Sequence, residues 1–113
     1  MTCVFCNIVE GKIPAKLVLD EPELLAFRDI NPVAPTHVLV IPKRHIATLA
    51  ELTEAEAAII GKMFLAARRV AEMENVVARG FRTVINAGPD AGQTVFHVHL
   101  HVIAGRRMAW PPG

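Results

Sequence analysis

The segment His97-Val98-His99-Leu100-His101-Val102-Ile103 decides the fold reading. Successive side chains of a strand point to opposite faces, so His97, His99 and His101 share one face while Val98, Leu100 and Val102 share the other. The aliphatic face pins the segment to a core, and the other presents imidazoles roughly 7 Å apart at each two-residue step. The chain has five histidines, and three of them fall in this run. Two chemistries suit such a row. Neutral imidazoles bind metal, or one imidazole is a nucleophile that its neighbours place and stabilise. Just upstream, Gly88, Gly92, Gln93 and Thr94 supply small residues, free amides and a hydroxyl. Phosphate oxygens want such donors at close range. A loop of donors opening into a row of imidazoles points to phosphoryl or nucleotidyl transfer.

Thr94 to Ile103 reads as one strand and Phe81 to Asn86 as another, separated by Ala87-Gly88-Pro89-Asp90-Ala91-Gly92. Thr53 opens the one long helix, because Thr53 and Glu56 have the spacing of a capping box. Ile60, Phe64, Ala67 and Ala71 predict its buried stripe, Lys62, Arg68 and Arg69 its wet side, and it fades near Asn75. His37 to Ile41 is a further strand, closed by Pro42. Asp29 to Pro35 is irregular, since Pro32 and Pro35 cannot donate to a ladder. Lys16 to Asp20 and Leu24 to Arg28 read as a hairpin turning at Asp20-Glu21-Pro22-Glu23, and Val4 to Val9 as a short helix ended by Gly11 and Pro14. About five strands in adjacent runs with one major helix predict an α+β fold with a mostly antiparallel sheet. No repeat, low-complexity segment or linker divides residues 1–113, so a single domain is expected.

The hydrophobic fraction of 52% and charged fraction of 20% argue for a packed core and against disorder. A short chain hides only roughly two-thirds of its surface, so the apolar surplus predicts a partner subunit. Twelve Lys and Arg stand against eleven Asp and Glu. The basic residues come as the pairs Lys43-Arg44, Arg68-Arg69 and Arg106-Arg107, not as a patch, which speaks against a general nucleic-acid binder. No run approaches the ~20 apolar residues of a membrane span, and the N-terminus lacks a signal-peptide pattern. Two cysteines cannot staple a secreted fold of this size. The expectation is a soluble cytoplasmic protein with no membrane partner.

The sequence resembles the histidine triad (HIT) family, and within it the Hint branch of nucleoside phosphoramidases. The resemblance covers nearly the whole chain. It is carried by Gln93-Thr94-Val95-Phe96-His97-Val98-His99-Leu100-His101-Val102, by Ala34-Pro35-Thr36-His37 and by the ending Trp110-Pro111-Pro112-Gly113. It implies a HIT-like fold, a homodimer, and attack at the α-phosphorus of a purine nucleoside monophosphate carrying an amine. His99 would form a covalent nucleotidyl-imidazole that water hydrolyses. His101 and Thr94 would supply donors to the nonbridging oxygens, with Gln93 beside them, and Asn86 would contact ribose or phosphate. His37 is the candidate to assist protonation of the leaving amine; a structural histidine at a strand start is its alternative. Asp29 would hold the ribose hydroxyls, with a turn cap before Asn31-Pro32 as its alternative. Phe5, Ile8, Ile13, Phe27 and Ile30 would form an apolar base slot, though core packing competes for Phe27 and Ile8. Trp110 would reach the partner subunit's site. After the triad, Ala104-Gly105-Arg106-Arg107-Met108-Ala109 departs from close relatives by adding positive charge, which leaves the amine preference open.

Cys3-x-x-Cys6 reads as a redox pair, as two small buried hydrophobes, or as half a zinc site. A redox pair belongs after a strand and at a helix N-terminus, which this position supports poorly. The resemblance implies structural zinc held by Cys3, Cys6, His45 and His97. That assignment removes His97 from the chemistry.

Three functions compete. The first is a hydrolase of nucleoside phosphoramidates acting through His99. The second is a nucleotide-binding regulatory module with incidental turnover, and a dinucleoside polyphosphate hydrolase or nucleotidyl transferase of the same superfamily stands beside it. The third is a small zinc protein, which the Gln93-Thr94 run-in disfavours because a pure metal site has no use for it.

Overall fold

The structure is a computed structural model that describes residues 3–113. Helix α1 spans Val4–Val9, and strands β1, β2 and β3 span Leu17–Asp20, Leu24–Arg28 and Thr36–Pro42. Two 3-10 turns, Leu49–Glu51 and Glu54–Glu56, lead into helix α2, Ala57–Met73. Strands β4, Phe81–Val84, and β5, Leu100–Ala104, complete a five-stranded sheet of order β1-β2-β3-β5-β4. Every neighbouring pair is antiparallel. The α+β class and the HIT-like element order follow the sequence reading.

Alternation divides the sheet into two faces. Leu24, Ala26, Val38, Val40, Leu100 and Val102 pack with Met63, Ala66, Ala67 and Val70 of α2. The odd-numbered residues Leu25, Phe27, Leu39 and Ile41 pack instead with Cys3 and Phe5 at α1. One face is therefore a helix-covered core, and the other carries α1 and the histidines.

The α2 stripe differs from the predicted one. Phe64 is 46% exposed, and Met63 with Ala66, Ala67, Val70 and Ala71 is buried in its place. Small alanines let the helix lie close over β3 and β5, which leaves no room there for a phenyl ring. The Thr53–Glu56 capping box is present, with the Thr53 amide donating to Glu56 Oε1 at 2.7 Å. It caps a 3-10 turn that runs into α2.

The histidine strand is shorter than expected. In the β3–β5 register Val40 lies opposite Leu100, and β3 ends at Pro42, which has no N–H to continue the ladder. The Val98 amide donates instead to Ile46 at 2.7 Å. His97 and His99 thus precede the ladder while keeping their alternation. β4 stops at Val84 for the same reason, since Asn86 would fall opposite unpaired His99.

The arginines also differ from the expectation of isolated pairs. Phe81 lies opposite Ala104, so residues entering β4 and leaving β5 meet at one end of the sheet. Arg79, Arg82, Arg106 and Arg107 line one crevice there. Among the described residues, no helix is long and apolar enough to cross a membrane.

Candidate active site and metal centre

β3 and β5 are adjacent, which brings His37 beside His101 although 64 residues separate them. The amide of Val33 donates to His37 Nδ1 at 3.1 Å. That nitrogen is therefore the bare one of a neutral ring, and Nε2 carries the proton. His37 Nε2 lies 2.9 Å from His101 Nδ1 and 3.4 Å from an Asp29 carboxylate oxygen. With the His37 proton directed to His101 Nδ1, the His101 proton sits on Nε2. That Nε2 is buried and has no partner.

His99 Nδ1 donates to the backbone carbonyl of His97 at 2.8 Å. This fixes the other tautomer and leaves Nε2 with a free lone pair. The His99 and His101 rings are 5.0 Å apart between centroids. An imidazole lone pair and an unpaired imidazole N–H thus sit side by side.

Both rings line a cleft of about 350 Å³. Phe5, Ile8, Ile13, Phe27 and Ile30 line its apolar part, and Asp29 and Thr94 its polar part. Phe5 and Phe27 also belong to the core, meeting edge to face at 5.5 Å, so packing and lining are one role for them. Ile30 is 91% exposed and forms the open lip. Asp29 also accepts from the Asn31 amide at 2.8 Å, the turn cap weighed as its alternative.

The structure gives other surroundings to Gln93 and Asn86. Gln93 is buried and does not line the cleft. Its amide nitrogen donates to the Ala47 and Val95 carbonyls at 2.8 and 3.1 Å, and its oxygen accepts from Gly88 at 2.9 Å. It braces the loop from inside. Asn86 lies past the end of β4, outside the cleft lining. Trp110 is 82% exposed and does not line this chain's own cleft; its expected post is in a partner's. His37 directs its proton to His101, so any help it gives a leaving group passes through that ring.

Several residues escaped the sequence reading. Leu39 and Val95 line the cleft, and alternation along β3 was the available signal for Leu39. Arg28 lines it too, held by a two-pronged pair of 2.9 Å bonds to Glu74 just past α2. The Arg28 guanidinium holds the Glu74 carboxyl below its usual range. No sequence signal joins residues 46 apart.

Burial lowers the proton affinity of the histidines behind the cleft. His101 is pushed down to about 4 by desolvation and by the neighbouring His99 and His37, with Asp29 opposing. His37 is lowered by burial, again with Asp29 opposing. Both are therefore neutral at pH 7.

The second cluster joins the N-terminus to the same segment. Donor atoms of Cys3, Cys6, His45 and His97 all lie within 4.8 Å of one another. His97 Nε2 donates to the Pro42 carbonyl at 2.8 Å, leaving Nδ1 bare toward Cys3 and Cys6 Sγ at 3.4 and 3.5 Å. His45 Nδ1 is 3.3 Å from Cys6 Sγ. Zinc–sulfur and zinc–nitrogen bond lengths give a tetrahedral S···N edge of about 3.6 Å. The donor set and its dimensions fit such a cation. Cys3 is also the N-cap of α1, so the helix-start context is met, with both sulfurs facing imidazoles. Burial and Cys3 push the Cys6 thiol up to about 11.

Known proteins resemble this chain along nearly its whole length. The HIT domain family model matches residues 10–108. A 14 kDa zinc-binding protein of Zea mays is 44% identical over 112 residues, covering 97% of this chain and 87% of the relative. Adenylylsulfatase HINT1 of Arabidopsis thaliana is 43% identical over 112 residues, covering 97% and 76%. The crystal structure of a HIT family hydrolase from Legionella pneumophila superposes with a TM-score of 0.98 at 44% identity, covering 99% of this chain and all of that one. With the triad alternation, the cleft and these matches in agreement, the chain belongs to the HIT family.

Proposed function

We propose that the chain is a nucleotide-binding hydrolase that cleaves the P–N bond of purine nucleoside phosphoramidates through a nucleotidyl-His99 intermediate. The observation that carries this reading is the bare His99 Nε2 in the cleft, beside the unpartnered N–H of His101. In the first step the His99 lone pair forms a bond to the α-phosphorus and the P–N bond breaks. His101 Nε2–H donates a hydrogen bond to the departing nitrogen, which takes its proton from water, while His37 Nε2–H, donated to His101 Nδ1, holds that tautomer in place. Water then attacks the same phosphorus, releases the nucleoside monophosphate and restores the imidazole. Nucleotidyl-imidazolium is a good leaving group, so both halves are feasible near neutral pH. Thr94 at the cleft wall supplies a hydroxyl to the nonbridging oxygens. Asp29 accepts from the ribose, and the apolar slot takes the purine.

The Arabidopsis relative is named an adenylylsulfatase, so sulfate stands beside an amine as a leaving group to try. Both leaving groups therefore belong in the assay.

Cys3, Cys6, His45 and His97 hold a zinc ion in this reading. When bound, it supplies a structural cross-link and no reactive group. Two copies of the chain form a dimer in which the exposed Trp110 reaches the partner's cleft. Size measurement that finds only monomer at micromolar concentration refutes that part.

The test of the reaction is a single turnover with adenosine phosphoramidate labelled at phosphorus. Label should appear transiently on the parent protein and never on His99→Ala, which should not turn over. Equal rates in the two proteins, without labelled protein, would overturn covalent catalysis.

A further inference from the structure

We propose that the crevice lined by Arg79, Arg82, Arg106 and Arg107 is a second anion site, separate from the catalytic cleft, for a small ligand with two or more linked phosphates. The chain has twelve Lys and Arg. Lys12, Arg28, Lys43, Arg44, Lys62 and Arg69 pair with carboxylates. Among the described residues, Lys16, Arg68, Arg79, Arg82, Arg106 and Arg107 do not. Four of the latter converge on one hollow of about 290 Å³, with Gly80, Phe81 and Met108. A protein of net charge +1 thus has four of its six cations that lack a carboxylate partner, among the described residues, at one end of the sheet. Guanidiniums brought together without a counter-charge repel one another, and an anion between them removes that cost.

The side chains are arranged for such a ligand. Arg82 Nη2 donates to the Ala109 carbonyl at 2.9 Å, and Arg106 Nε to the Val33 carbonyl at 2.9 Å. Arg106 Nη1 donates as well to the Arg107 carbonyl at 3.3 Å. These bonds fix two guanidiniums in place and leave Arg106 Nη2 and the remaining N–H groups of Arg82 available. Arg79 and Arg107 are exposed, and each guanidinium offers a planar fork matched to phosphate oxygens. A Cβ placed on Gly80 would meet nothing within 4 Å, so the backbone there is open to an approaching oxygen.

Size and lining select the ligand class. The volume suits a few linked phosphates, and one aromatic side chain, Phe81, borders it. A single-stranded nucleic acid needs a longer groove with several stacking rings. The crevice shares no lining residue with the catalytic cleft. It nevertheless touches the same machinery: Arg106 holds the carbonyl of Val33, whose amide holds His37 Nδ1 at 3.1 Å. An occupant would steady the loop that carries Asp29.

The experiment is calorimetric titration of inorganic tripolyphosphate into the intact protein, with saturating AMP present to fill the catalytic cleft. The expected result is one site per chain that weakens with added salt. The doubly substituted Arg79→Gln, Arg107→Gln protein should bind at least tenfold more weakly while melting at the parent temperature in ligand-free buffer. Absence of binding to the parent at millimolar tripolyphosphate overturns the proposal, and so does equal binding by the variant. Tighter binding of single-stranded oligonucleotides, growing with their length, would overturn it in favour of nucleic acid. A parent dimer that the double substitution converts to monomer would assign the arginines to a subunit interface instead, and would also overturn it.

Discussion

The carbonyl that receives the Nδ1 proton of His99 belongs to His97, whose own ring faces the two cysteine sulfurs. The proposed nucleophile therefore takes its tautomer from a residue whose position depends on the Cys3–Cys6–His45–His97 cluster. Cys6→Ser should lower bound zinc from near one ion per chain to below a tenth, as read by metal analysis of purified protein. The melting temperature should fall by several degrees, since a structural cation binds the folded state alone. Turnover should fall with it, while added nucleoside monophosphate still binds. Full metal content in Cys6→Ser would contradict the assignment.

Acid should destabilise the protein through His101. Its folded-state value of about 4 lies below the ordinary 6.5, so the unfolded chain binds the proton more readily. The resulting stability is complete above about pH 6.5 and is lost as pH falls toward 4, on the order of 3 kcal/mol. Burial sets most of this lowering; His99 and His37, which face the ring, add to it, and Asp29 opposes it. Urea unfolding from pH 7 to pH 4 should show the loss, and His101→Asn should flatten the slope. An identical slope in the variant would refute this origin.

His37→Ala should reduce kcat about 10- to 100-fold with little change in KM, because its ring touches His101 and leaves the substrate slot intact. Added imidazole should recover part of the rate. A change confined to KM would mean that His37 acts in binding.

Gln93→Ala should cost about 2–4 kcal/mol in chemical unfolding, since the Gly88 amide and the Ala47 and Val95 carbonyls all lose their partner. A variant as stable as the parent would show that water replaces the side chain without penalty.

The sheet and its two faces were legible because alternation is a local property. Val38, Val40, Leu100 and Val102 announce their face from the chain alone. Phe64 did not, since the choice of buried stripe on α2 rests on how closely the helix lies over β3 and β5. The three triad residues could be named from sequence, but the tautomers could not, as each depends on a partner supplied by folding. His37 met His101 across the β3–β5 ladder, and Val33 met His37 across a turn. From sequence Gln93 looks like a ligand donor, because polar loop residues next to a triad invite it. Its amide was already engaged by carbonyls on both sides of the loop. The arginines were judged by neighbours in sequence, and the antiparallel pairing of β4 with β5 joined the two groups.

The alternation from His97 to Val102 has a further consequence. Core packing alternates, residue by residue along the same six positions, with the imidazoles that serve the metal cluster and the cleft. Deleting or inserting one residue there would send imidazoles under α2 and aliphatic side chains into the cleft, destroying stability and chemistry together. The spacing of this segment is thus held twice, once by each face. Evolution can change a side chain here singly, but can alter the segment's length only by abandoning both.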